Sequence, residues 1–199
     1  MSDPSSRQKN FTRICSKCQT NCCYNARPPL TPTRMRIIKN YLQGKSSAVK
    51  FNKEEYCSPP ERADGYCSLL DADSGQCVVH EVKPETCVAG PITFDINQVT
   101  GKIEWYLKTE EICPLAGVLA KDRPLLLEHL SSARRELHRL VSELNGSELR
   151  AILRIEEEST TKIGEESLPE KVLKKLKGPT PSSRRGNRGH NHTDPLVPS

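Results

Sequence analysis

The sequence predicts an α+β fold. A small cysteine-rich, metal-organised module with β-hairpins comes first, followed by a helical hairpin and a disordered tail. Three observations carry this expectation. All nine cysteines lie between Cys15 and Cys113, and all nine aromatic residues lie at or before Tyr106. Beyond residue 113 the chain turns to Leu, Glu, Arg and Lys, with apolar residues at helical spacing. Residues 178–199, GPTPSSRRGNRGHNHTDPLVPS, hold too few apolar side chains to fold. The expected divisions are a flexible N-terminus at 1–10, the cysteine-cluster module at 11–119, a helical region at 120–177 and a disordered basic tail at 178–199.

The elements follow from local patterns. Thr31 or Thr33 can N-cap a helix that runs to about Leu42. Met35, Ile38 and Leu42 form its apolar face, Arg34, Arg36 and Lys39 are left to solvent, and Gly44 fits its end. The run YCSLLDADSGQCVVH reads as two short strands around a polar turn at 71–75. A second hairpin alternates Ile92, Phe94 and Ile96 against Ile103 and Trp105, with its turn at Val99-Thr100-Gly101. Pro124 suits the first turn of a long helix. Its seam is Leu126, Leu130, Ala133, Leu137, Leu140 and Leu144, ended by Asn145-Gly146. Ser147 is expected to cap a second helix that buries Leu149, Ile152 and Leu153, and a weaker helix follows from Pro169 to Leu176.

Composition sets outer limits. Only 35% of the chain is hydrophobic and 28% is charged, which is lean for one large core. The opening MSDPSSRQKN has no apolar run, and no segment approaches the roughly 20 apolar residues that span a bilayer. A cytoplasmic protein with no membrane span is expected. In a reducing compartment, clustered cysteines are metal-binding or catalytic rather than disulfide-bonded, and the odd count of nine points the same way.

The formal charge of +5 is unevenly spread. Residues 1–50 carry ten Lys/Arg and one acid, whereas residues 51–113 carry five bases and twelve acids. A basic stripe is one mark of a nucleic-acid binder. Basic neighbours also offset the negative charge of a thiolate-held metal and keep thiols deprotonated.

The stretch CSKCQTNCC puts Cys15, Cys18, Cys22 and Cys23 into nine residues. A C-x2-C turn aims two sulfurs at one ion, and a third thiolate three or four residues on completes much of a cluster's coordination. This spacing marks Cys15, Cys18 and Cys22 as metal ligands. Adjacent cysteines point in different directions, so Cys22 and Cys23 do not both bind one tetrahedral zinc. Either they serve two metals, or one binds and the other packs. His80, three residues after Cys77, is a weaker candidate than a polar loop histidine. His129 and His138, on the long helix, read as surface residues. The chain has no H-E-x-x-H and no G-x-G-x-x-G, and position 39 is Lys where a P-loop ending at Gly44-Lys45-Ser46 requires Gly.

With YCSLL, QCVVHEVKPETC and ICPLAG added, the pattern resembles the YkgJ-type cysteine-cluster family of zinc- or iron-chelating CxxCxxCC domains. The likeness covers roughly residues 11–119. It implies at most eight cysteine ligands, which fall here on Cys15, Cys18, Cys22, Cys23, Cys67, Cys77, Cys87 and Cys113, with Lys83-Pro84 in the family's basic-proline position. Two departures stand out. One extra residue precedes Cys22-Cys23, which leaves open which of the two takes the usual ligand place. Cys57 lies outside the pattern and is expected not to ligate.

The resemblance implies a metal-binding protein holding an iron–sulfur cluster or zinc, with the three-cysteine loop leaning toward the cluster. The alternatives are an iron–sulfur enzyme or electron-transfer protein, since flagellin lysine methylases resemble the same domain, and a zinc-stabilised nucleic-acid-binding module using residues 1–50 and the Arg-Gly tail. Metal removal or Cys18→Ala is expected to unfold residues 11–119.

Overall fold

The computed structural model describes residues 14, 15, 18, 22–44, 49–157 and 159–178. The sequence expectations for residues 1–10 and for the basic tail beyond 178 lie outside the described residues.

Helix α1 spans Pro32–Gln43. Thr31 caps it by accepting from the Arg34 amide at 3.0 Å, and Gly44 ends it. Ile38 and Leu42 are buried as the spacing predicts. Arg34 is buried too, against expectation. Acids from two other elements reach it there and draw its guanidinium inward. Strands β1 (Asn52–Lys53) and β2 (Cys57–Ser58) form a small antiparallel ladder.

The stretch 66–80 does not form the expected pair of strands. It makes a single bridge, Leu70 opposite Cys77, around an Asp71 turn. The physical reason is local. The Leu70 amide turns back to the Cys67 carbonyl at 2.9 Å, and the His80 amide to the Cys77 carbonyl at 3.1 Å. Each cysteine therefore starts a turn instead of continuing a ladder. A 3-10 turn at His80–Val82 leads into the short helix α2, Glu85–Ala89.

The second hairpin is as predicted. Strands β3 (Ile92–Asn97) and β4 (Lys102–Lys108) pair antiparallel, with Ile92 opposite Leu107, Phe94 opposite Trp105 and Ile96 opposite Ile103. Those pairs share one face of the sheet. Helix α3 (Pro114–Lys121) and the long helix α4 (Arg123–Glu143) follow. The α4 seam of Leu130, Ala133, Leu137 and Leu140 is buried, joined by Val141 and Leu144. It packs in one core with Trp105 and the rest of that sheet face.

Helix α5, Gly146–Ile152, is capped by Asn145 rather than Ser147. The Asn145 side chain accepts from the Ser147 and Glu148 amides, and Glu148 returns the bond to the Asn145 amide. The region after it holds an element the periodicity does not reveal. Strand β5, Thr160–Ser167, pairs antiparallel with β4 and completes the sheet order β3-β4-β5. Its sequence, TTKIGEES, has one large apolar residue, so no alternation signals it. Pairing with β4 supplies what its side chains do not.

Helix α6 spans Glu170–Lys177, as the weak third helix predicts. Helices α5 and α6 lie together, and their helix ends are satisfied by basic side chains. Lys175 donates to the Ser142 and Leu144 carbonyls at the end of α4, and Arg150 donates to the Lys175 and Leu176 carbonyls at the end of α6. Gly146 lets this happen, because a Cβ there would strike the Lys175 carbonyl.

The buried residues form two clusters. One gathers Leu30, Ile38, Leu42, Cys67, Leu69 and Val79 around α1. The larger gathers the sheet, α3, α4, α5 and α6 around Trp105 and Leu137. Helix α2 joins them. Its Glu85 is fully buried, accepts from Thr31 Oγ1 at 2.6 Å and lies 3.6 Å from Arg34 Nε. Arg34 also pairs with Glu136 of α4. A buried charge network thus ties α1, α2 and α4 together. No described helix is long and apolar enough to cross a membrane.

Candidate metal centre

The eight cysteines of the family pattern are drawn from both sides of this seam. Cys67 belongs to the α1 cluster, with Cys23 and Cys77 packed against it. Cys113 packs on the sheet cluster, as does Ile14, the neighbour of Cys15. Cys87 sits on α2, the joint between the two.

Local hydrogen bonds set each position. The Cys18 amide bonds the Cys15 carbonyl at 3.1 Å, closing the C-x2-C turn. The Cys67 amide bonds the Cys23 carbonyl at 2.9 Å, beside a bridge between Tyr24 and Tyr66, whose rings meet edge-on at 5.2 Å. Gly65 permits that approach. Its φ is 82°, and a Cβ there would come 2.7 Å from the Tyr24 ring. Cys77 stands across the bridge from Leu70, whose amide is held by Cys67. Cys113 is the N-cap residue of α3, with Pro114 opening the helix.

Three of these thiols receive backbone N–H groups from just ahead in the chain. The Leu69 amide serves Cys67, the Val79 amide serves Cys77, and the Leu115 and Ala116 amides serve Cys113. Donors aimed at sulfur favour the thiolate, the form that binds metal. Lys83 acts on Cys15, Cys22, Cys77 and Cys87 and favours their charged forms as well. The sequence marks Lys83 only as part of a motif; its position among four thiols is a tertiary result.

Burial opposes these influences and wins at most positions. It holds the Cys15, Cys67, Cys77 and Cys113 thiols above their ordinary value and pushes Cys87 up to about 12. Cys22 differs. A hydrogen bond from the Cys23 thiol, with Lys83 and Lys108 adding to it, brings Cys22 down to about 6. Donating that bond, together with burial, raises Cys23. The shared hydrogen bond thus pushes the two adjacent thiols in opposite directions.

The other candidates fall outside this group. His80 is exposed on its 3-10 turn, and burial lowers its pKa. Cys57 sets its Sγ 3.6 Å from Met35 Sδ within the α1 cluster. His129 and His138 are half-buried rather than surface residues. His129 Nε2 lies 2.8 Å from the Ala89 carbonyl, and His138 stands edge-on to Trp105 and pairs with Glu166. Both belong to the sheet core. The Arg34–Glu85 anchor beneath Cys87 was not visible to sequence reasoning, since helical periodicity assigns Arg34 to solvent.

Among the described residues, no three His, Cys, Asp or Glu side chains form a group set to hold a metal ion. The donor chemistry nonetheless fits zinc or iron: soft sulfur donors, amides facing three of them and a lysine to offset charge. Closing a coordination shell takes the loss of thiol protons. Because burial raises most of these thiols, each such ligand releases a proton as it binds. Metal affinity should therefore rise with pH, by roughly tenfold or more per pH unit from about pH 6.5 to 8. Competition titrations against a chelator of known affinity check this; a flat profile would contradict it.

Neither the curated proteins nor the solved structures include a match to this chain. One family model does match, over residues 14–114, slightly more than half of the 199 residues. The chain belongs to the CxxCxxCC family, described as a "putative zinc- or iron-chelating domain".

Proposed function

We propose that Cys15, Cys18, Cys22, Cys23, Cys67, Cys77, Cys87 and Cys113 are the ligands of resident metal, and that this metal fastens the α1 layer to the sheet layer. The observation that carries this reading is the origin of the ligands. Cys23, Cys67 and Cys77 pack with the small cluster, Cys113 packs with the large one, and Cys87 rides the helix between them. A metal held by both sets adds a cross-link between the two clusters. Binding energy of order 10 kcal/mol then becomes folding energy.

The C-x2-C-x3-C loop with a distant fourth cysteine favours an iron–sulfur cluster over zinc at that end. A reducing, cytoplasmic setting suits either, because it keeps the thiols available. Anaerobic purification followed by metal and sulfide analysis and visible absorption tests the reading. Iron with matching sulfide and a brown colour is the expected result. Stoichiometric zinc in a colourless protein would keep the metal role and overturn the cluster. Protein folded in full with neither metal would overturn the role itself.

A further inference from the structure

We infer that the groove between α4 and β5 binds a small organic acid, one carboxylate carried on an apolar body. No cysteine lines this groove, so its chemistry goes beyond the metal reading and does not depend on it.

Helical spacing builds one wall. Leu127, Ser131, Arg134, Arg135 and His138 recur at steps of three or four along α4 and so share one flank of it. Glu166 of β5 faces them, and the open groove between has a volume of about 470 Å³. Small-molecule sites begin at roughly 300 Å³, so the space admits a ligand of this class. Leu127 is 54% exposed, and with Leu130 it offers an apolar surface for the ligand to cover.

Charge decides what the groove accepts. Glu166 is already satisfied at both oxygens. Arg134 donates to Oε1 from Nε at 3.1 Å and pairs with Oε2 through its Nη2, and His138 bonds Oε1. Arg135 has no such partner. Its hydrogen bonds go to the Ser131 carbonyl at 3.5 Å and to Ser132 Oγ at 3.3 Å, both on its own helix, and it makes no ion pair among the described residues. Two guanidiniums therefore stand against one carboxylate. Burial and Arg134 lower the pKa of His138, so it adds no charge at pH 7. One positive charge is left over. A single carboxylate matches it and suits the planar fork of Arg135, as Glu166 suits Arg134. A phosphate dianion would exceed it and meet Glu166 across the groove. Ser131, one turn before Arg135, brings a hydroxyl donor to the same flank.

The chain's single tryptophan reports on this groove. The Arg134 guanidinium lies over the Trp105 ring at 5.8 Å, and His138 stands edge-on to it at 5.4 Å. Full-length protein as purified is titrated at constant ionic strength with octanoate, acetate and inorganic phosphate. Binding is read by Trp105 fluorescence and, independently, by ligand-observed NMR. Octanoate should saturate and bind about tenfold or more tightly than acetate or phosphate. Arg135→Gln should weaken octanoate by about tenfold, the loss expected for a charge-assisted bond, and Arg135→Lys should recover part of it. Should a variant fail to fold, the ranking of the three anions on the unmutated chain still decides. No saturation with octanoate by either method would overturn the inference. So would acetate or phosphate binding as tightly as octanoate, or octanoate binding unchanged in folded Arg135→Gln. Each of these results leaves the metal reading where it stands.

Discussion

Chelating the metal should melt residues 22–82 while the sheet and α4 keep their structure. The two clusters differ greatly in what they bury. Six residues form the α1 cluster, whereas nineteen form the cluster around Trp105. The small layer has two-residue strands and loops held by three isolated bridges, and besides these and the Arg34 ion pairs it has only a small apolar core to fix it. Small modules of this kind take much of their folding energy from metal. Strands β3 and β4 lie inside the cysteine-rich region by sequence, yet their cross-strand pairs and α4 contacts are independent of any thiol. The expected loss is therefore narrower than the 11–119 span suggested by cysteine spacing. Hydrogen exchange read by mass spectrometry checks it. Peptides from 22–82 should exchange freely after chelation, those from 92–108 and 123–143 should not, and Cys18→Ala should shift the pattern the same way. Uniform protection across the chain after complete metal removal would refute the expectation.

Arg34→Met should cost about 3–5 kcal/mol, the range for breaking a buried ion pair by removing one partner. Glu85 is fully buried, and Glu136 is largely so, and both lose their cation in this variant. The methionine fills similar volume, which separates charge from packing. The pH dependence follows from Glu85. Burial raises its pKa above the ordinary 4.5, even with the Thr31 hydroxyl and Arg34 opposing. A raised carboxyl keeps its proton in the folded chain after the unfolded chain has released it. Stability therefore falls as pH rises above that ordinary value. Removing Arg34 raises the carboxyl further, so the deficit should be larger at about pH 7.5 than at about pH 5. Denaturant melts at the two pH values measure it. An equal deficit at both would assign the loss to packing.

Much of the architecture is legible along the chain because its signals are local. The Thr31 cap, the α4 seam and the 92–108 hairpin each depend on a spacing or a turn within a few residues, and all three form as read. The same holds for the opening C-x2-C turn. Three features escape local reading. Strand β5 has no apolar alternation and exists because β4 offers it an edge. Arg34 sits at a position that helical spacing gives to solvent, and becomes buried because Glu85 and Glu136 arrive from α2 and α4. The 66–80 stretch has the residues of two strands, but amide-to-carbonyl turns at Cys67 and Cys77 curl it.

For the cysteines the same line divides sequence from structure. Residue type and spacing alone determine that this chain carries a thiol-rich metal-binding domain, because sulfur chemistry and the C-x2-C turn are local properties. Which thiols stand together, which receive amide donors, and that Lys83 lies among four of them are decided only by the tertiary structure. The physical reason is distance. Cys22 and Cys113 are 91 residues apart in the chain, and only the folded chain lets the charge of one bear on the other.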